Sequence, residues 1–236
     1  DKVAQGLLAR VIYEDEGLMV VNKPSGIAVH GGSGVAYGLI EGLRAATGKK
    51  YLELIHRIDR DTSGLVMISK KRSTLKTLQD LLREHKIQKT YAAIVKGQVS
   101  LDQQLIDAPL HRYELANGER RVRVSKEGKA SKTQWNVVER FMHASLVYAS
   151  PLSGRTHQIR VHGLSIGHPL VGDEKYGHET EYRGPKPRRL CLHAMRLEIP
   201  GYPTIEAPLP EDMQSLVAQL RAQKADKVVT PAEDDE

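Results

Sequence analysis

Apolar residues in this chain come mostly in short blocks of strand length rather than in long helical stripes. Val11 and Ile12, then Leu18, Met19, Val20 and Val21, flank an Asp15-Glu16-Gly17 turn and predict two strands. Leu52, Leu54 and Ile55, and then Leu65 to Ile68, predict two more buried extended segments. Further strands are expected at Thr90–Val95, Arg121–Val124, Gln134–Phe141, Ala144–Ala149 and Arg189–Ile199. Helical spacing is confined to four places. A helix is expected at about 35–46, and a second opens at Ser73 with Leu75, Leu78, Leu81 and Leu82 on one face. A third starts after Gly154 and stops at Gly167-His168-Pro169, and a fourth runs from Pro210 to about Arg221. Strands outnumber helices and do not alternate with them. The expected class is therefore α+β, a mixed, largely antiparallel sheet with flanking helices. With no repeat or interdomain linker visible, residues 1–222 read as one domain.

Between the segments at 52–55 and 65–68 lies His56-Arg57-Ile58-Asp59-Arg60-Asp61-Thr62-Ser63-Gly64, which is almost wholly polar, charged or glycine. A charged turn between two buried extended segments can hold reachable carboxylates on a rigid frame, as a catalytic loop requires. The same pattern also fits a solvated turn with surface ion pairs. On spacing alone Asp59 and Asp61 are interchangeable. A second polar concentration, Gly154-Arg155-Thr156-His157-Gln158-Ile159-Arg160-Val161-His162, lies at a helix start, where phosphate could bind. His157 and His162 are five apart and diverge by about 140° on a helix. A two-histidine zinc face uses a spacing of four, so no metal site is expected.

Composition narrows the partners. The 236 residues carry a net charge of +6. Residues 223–236 are acidic and read as a disordered tail, which leaves 33 basic against 24 acidic residues in the body. Such a body favours a polyanion, and nucleic acid before membrane, because no basic amphipathic helix with aromatic anchors appears. Arg112, Arg120, Arg121, Arg123, Lys126, Lys129 and Lys132 concentrate in the segment 109–133, which reads as an arm contacting nucleic acid. The single Cys191 rules out an internal disulfide framework and fits a reducing compartment. There is no membrane-length apolar run and no secretory h-region in the first ten residues, so a cytoplasmic protein is expected. Neither a P-loop nor a dinucleotide fingerprint is present, and no cofactor is expected.

Several of these blocks carry a resemblance. His56-Arg57-Ile58-Asp59-Arg60-Asp61-Thr62-Ser63-Gly64 closely resembles the motif around the nucleophile of the RluA family of pseudouridine synthases. The family's Asn-Lys-Pro-Ser-Gly block is matched by residues 22–26, and its Gly-Arg-Thr-His-Gln-Ile-Arg-Val-His pattern by 154–162. The resemblance covers most of residues 9–210. It implies the pseudouridine synthase fold with a central catalytic cleft, and isomerisation of uridine in RNA without metal or redox cofactor. It singles out Asp59 as the nucleophile and makes Asp61 a neighbour that braces the loop. The family's active-site basic residue falls on Arg155 and its active-site tyrosine on Tyr91, in Gln88-Lys89-Thr90-Tyr91. A guanidinium beside a carboxylate favours the ionised form a nucleophile needs. Tyr91 would stack on the reacting base, and Ile159 would form an apolar wall beside it. Arg57 would fill the space left by a uridine swung out of the RNA, or hold flanking phosphates. Arg121 and Arg123 are further candidates for RNA contact. Residues 28–34 and 38–44 resemble members acting on 23S rRNA of the large subunit or its precursor. Such members usually carry an N-terminal S4-type RNA-binding domain, which is expected to be absent from this chain, and a monomer is expected. Two rival classes remain open: a glycosidase using Asp59 and Asp61 as an acid–base pair, and a non-catalytic rRNA-binding assembly factor.

Overall fold

A computed structural model describes residues 2–31 and 38–229, without the side chains of residues 3 and 224–229. Their contacts divide the stretch read as one domain into two compact units. The first is residues 1–90 with 193–208, and the second is 91–192 with 209–236.

The first unit begins with a short helix, α1 (Lys2–Leu8), which no apolar periodicity announces. Strands β1 (Val11–Glu14) and β2 (Leu18–Lys23) follow as an antiparallel pair. Their turn is closed by Asp15, whose Oδ1 accepts the backbone N–H of Gly17 and of Leu18. Helix α2 (Leu39–Thr47) ends at Gly48, in the left-handed conformation that glycine adopts without a steric cost. The beginning expected for it at 35, and Gly32 to Gly34 of the glycine-rich loop, lie outside the described residues. Next come β3 (Glu53–Leu54), β4 (Ser63–Ser69) and α3 (Arg72–Arg83). Every residue of β4 is buried, and its centre, Leu65 to Ile68, is accordingly a continuous apolar run. Of the α3 leucines only Leu78 is fully buried; Leu75, Leu81 and Leu82 pack half-buried against the core of Leu18, Val20, Leu65 and Met67.

The second unit contains four strands in antiparallel succession. They are β5 (Gln88–Lys96), whose first three residues belong to the first unit, β10 (Ala144–Pro151), β9 (Lys132–Arg140) and β6 (Gln103–Asp107). Strand β6 was not expected from the sequence. Only Ile106 of its residues is buried, so it lacks an alternating signal. Strands β7 (Leu110–Glu114) and β8 (Arg120–Val124) form a separate two-stranded hairpin in the basic segment. Helix α4 (Gln158–Ser165) follows.

Strand β11 (Leu192–Glu198) brings the chain back to the first unit, where it pairs in parallel with β4 and antiparallel with β12 (Ile205–Glu206). Helix α5 (Glu211–Val229) returns to the second unit and packs Met213, Leu216, Val217 and Leu220 against Ile94 and Phe141. It runs past the expected stop at Arg221, because Ala222 to Lys227 contain neither glycine nor proline. Residues 230–236 of the acidic tail lie outside the described residues. The class is α+β, with largely antiparallel pairing.

Candidate active site

Asp59 sits on the loop between β3 and β4. The backbone N–H of Thr62 bonds the Asp59 carbonyl at 3.1 Å and closes a turn, with Asp59 half-buried and Arg57 and Arg60 exposed. What pins this turn is the adjacent end of β2. Lys23 is fully buried, and its ammonium donates to the carbonyls of Pro24 and Arg60, each at 2.9 Å. Ser25 Oγ donates to the Asp61 carbonyl at 2.7 Å, and the Gly26 N–H donates to the Arg60 carbonyl at 2.9 Å. A buried ammonium is costly unless hydrogen-bonded, so Lys23 fixes the backbone immediately after Asp59. The Asp61 carboxylate faces solvent beside Arg60, 3.5 Å away.

The ends of the loop are held as well. His56 Nε2 accepts the Met67 N–H at 2.9 Å, so the ring is in its Nδ1–H form. Burial, with the charge of Lys89 second, pushes the His56 pKa down to about 3, and burial also lowers that of Lys89. On the other side, His193 Nε2 donates to the Ala207 carbonyl at 2.9 Å, which leaves Nδ1 to accept Ser63 Oγ–H at 2.8 Å. Gly64, at φ +114°, lies against the backbone of Ala194 with no room for a Cβ. Strand β4 therefore approaches β11 closely just where the loop enters it.

In the second unit, Tyr91 is buried on β5 and pairs with Ala149 of β10. Strand β10 runs into the loop that carries Arg155, an exposed residue whose Nε donates to the Ala130 carbonyl at 3.3 Å. One side chain organises this loop. Gln158 Oε1 accepts Ser153 Oγ–H at 2.7 Å and the Arg155 N–H at 3.2 Å. Its Nε2 donates to the Lys132 carbonyl at 2.8 Å and to Thr133 Oγ1 at 3.0 Å. His157 precedes the helix in a left-handed conformation, and Ile159 is buried within its first turn.

Neither histidine of this segment is free to bind metal as a pair. His157 Nδ1 meets the Tyr176 hydroxyl at 2.7 Å, while His162 bonds Thr133 Oγ1 and the Ala108 carbonyl. Arg160 forms a buried two-pronged pair with Asp173, at 2.7 and 2.8 Å. Burial favours the protonated form of Asp173, but Arg160 and two backbone N–H groups outweigh it and hold the carboxyl below its usual range. Tyr176 extends the network, since its hydroxyl accepts the Val122 N–H of β8 at 3.0 Å. The basic hairpin is thereby anchored to α4.

On that hairpin the two candidate arginines differ. Arg121 is half-buried and turned toward the protein, with Nη1 donating to the Lys175 carbonyl at 3.2 Å and Nε 3.4 Å from Glu119. Arg123 is exposed and lies over the Tyr113 ring, 4.9 Å from its centroid. The braces Lys23, Ser25, Gln158 and the Arg160–Asp173 pair were not singled out from the sequence as site residues. The one signal for Lys23 and Ser25 was the Asn22–Gly26 block itself.

The chain belongs to the RNA pseudouridylate synthase family, whose model matches residues 17–165. It is 47% identical over 234 residues to ribosomal large subunit pseudouridine synthase C of Pasteurella multocida, covering 95% of this chain and 72% of that protein. The protein of the same name from Escherichia coli (strain K12) is 48% identical over 222 residues, covering 89% and 70%. Among solved structures, human RNA Pseudouridylate Synthase Domain Containing 4 is similar at a TM-score of 0.78 and 25% identity, covering 93% of this chain and 96% of that one. The chain is thus an isomerase of the pseudouridine synthase class. No helix among the described residues is long and apolar enough to cross a membrane.

Proposed function

We propose that this protein converts specific uridines of 23S rRNA, in the large subunit or its precursor, to pseudouridine, with the Asp59 carboxylate as nucleophile. The N-glycosidic bond breaks, the uracil turns, and its C5 bonds the same C1′. The proton lost from C5 is balanced by the one that the released N1 takes up, and any bond formed to Asp59 is broken again. Substrate and product have the same atoms, so the overall reaction consumes no oxidant, reductant or co-substrate. Arg155 is the active-site basic residue, and Tyr91 stacks on the base, a contact worth about 1–3 kcal/mol. Ile159 supplies an apolar wall. Arg57, exposed beside the nucleophile, serves the RNA around the extruded uridine, at a flipping cost of a few kcal/mol. Arg123, and Arg121 once released from Glu119, meet phosphates.

The observation that carries this reading is the anchoring of the Asp59 turn through the Arg60 and Asp61 carbonyls to Lys23 and Ser25. It leaves a carboxylate presented on a fixed backbone, as preorganised catalysis needs. Similarity to ribosomal large subunit pseudouridine synthase C supports the substrate. The protein acts as a cytoplasmic monomer without cofactor, and residues 1–222 form its catalytic domain. Incubation with unmodified 23S rRNA, followed by mapping of pseudouridine, tests the proposal. New pseudouridines formed in the presence of a chelator support it. Release of free uracil would indicate a glycosidase, and binding without any modification an assembly factor.

A further inference from the structure

Helix α3 carries a charged groove that the reaction does not use. Leu75 and Gln79 line it, with Tyr51 and Arg72 on one side and Lys76 and Arg83 among its other walls; its volume is about 390 Å³. The Arg72 guanidinium lies over the Tyr51 ring, 5.6 Å from the centroid, and is in no ion pair among the described residues. The Tyr51 hydroxyl is buried without a hydrogen-bond partner there. Exposed Lys49 and Lys50 precede Tyr51 and extend the positive field. One acidic residue, Asp80, lines the groove and pairs with Lys76 at 3.6 Å and with Arg83. Both pairs are at the surface, where such contacts are worth about 0–1 kcal/mol and yield to a phosphate. Nearby carboxylates are already engaged, Glu53 by Arg44 and Glu84 by Lys86. An aromatic ring interleaved with three cations against one carboxylate along an open groove suits a nucleic-acid backbone.

Position gives the groove a role. The Asp59 loop enters β4 at Ser63, whereas Arg72 follows the far end of the strand at Ser69. Tyr51 lies at that end too, because Glu53 pairs with Ser69. Six steps of about 3.3 Å separate the two ends by about 20 Å. We propose that the α3 groove, through Tyr51, Arg72, Lys76 and Arg83, holds the phosphate backbone of the RNA substrate outside the segment that carries the reacting uridine. The inference rests on the proposed RNA substrate and adds a contact that only long RNA reaches.

The test compares Arg72→Gln/Lys76→Gln/Arg83→Gln with the unsubstituted protein on two RNAs. One is an oligonucleotide of about ten nucleotides around a modified uridine, and the other the same sequence extended by about 20 nucleotides on each side. Circular dichroism melting confirms that the variant folds. For the long RNA, Kd rises roughly tenfold at 0.15 M salt, and the log–log salt slope falls by about 2 as phosphate contacts are lost. For the short RNA, Kd and the rate of pseudouridine formation are unchanged. Equal Kd for variant and unsubstituted protein on the long RNA overturns the inference, as a groove serving an acidic protein would. An equal loss on both RNAs also overturns it. Failure of the proposed function shows up separately, as no pseudouridine on either RNA with the unsubstituted protein.

Discussion

The loop bearing Asp59 and the loop bearing Arg155 are braced by opposite devices. The first is held through its backbone: Lys23, at the end of β2, and Ser25, just past it, reach in and bond the carbonyls of Arg60 and Asp61. The second is held by a side chain of its own segment, Gln158, which makes four hydrogen bonds to its surroundings. A carbonyl is present whatever the side chain, so the bonds at Arg60 and Asp61 do not depend on which residues stand there, whereas the loop's ends use the side chains of His56 and Ser63. What the first loop cannot change is the brace. In the second loop, shape and sequence are tied together at one residue.

The largest effect expected from this contrast is at Lys23. Lys23→Met keeps most of the volume but strips two carbonyls of a charged donor. The expected loss is on the order of 3 kcal/mol of stability, with pseudouridine formation lost. Urea unfolding and a product assay check it, and a stable, active Lys23→Met would show that the loop is held some other way. Gln158→Leu should cost somewhat less, about 2 kcal/mol, for the groups it leaves unbonded. It should lower kcat more than it raises KM, which steady-state kinetics would read.

The third expectation concerns pH. His56 is held neutral in the fold, with a pKa of about 3. Once unfolded it takes up a proton near 6.5. The unfolded state therefore binds more protons below pH 6.5, and stability falls as pH drops from 6.5 toward 3. Between pH 7.5 and 5 this amounts to about 2 kcal/mol. His56→Gln, which can still accept the Met67 N–H, should lack that share of the decline. Parallel pH slopes for the two proteins would contradict the assignment. Burial lowers the pKa of His162 as well, but that contribution is common to both and cancels. The smallest effect belongs to Asp61→Asn, within about 0.5 kcal/mol in stability and with measurable activity, because its carboxylate makes a surface pair while its carbonyl does the anchoring. Total loss of activity there would mean that the first loop also depends on the Asp61 side chain.

Strands were legible wherever one face or both are buried, as in β2, β4 and β10. Strand β6 was not, because a mostly exposed edge carries little alternation. The site was legible in its polar blocks but not in its braces. Lys23 follows an apolar run like any lysine leaving a strand, and nothing local says that it is fully buried. Its partners are the carbonyls of Pro24, next in the chain, and of Arg60, 37 residues on, and a backbone carbonyl leaves no mark in an amino-acid sequence. Arg121 and Arg123 alternate identically along β8, and only Glu119 and Lys175 distinguish the turned-in arginine from the exposed one.

The central claim is that the Asp59 carboxylate performs the chemistry on a loop anchored through the Arg60 and Asp61 carbonyls. The most direct test is Asp59→Asn, assayed for pseudouridine on 23S rRNA beside its affinity for the same RNA. The expected result is no pseudouridine with Kd within about twofold of the unsubstituted protein, well under 1 kcal/mol. Pseudouridine formation at an undiminished rate in Asp59→Asn would contradict it.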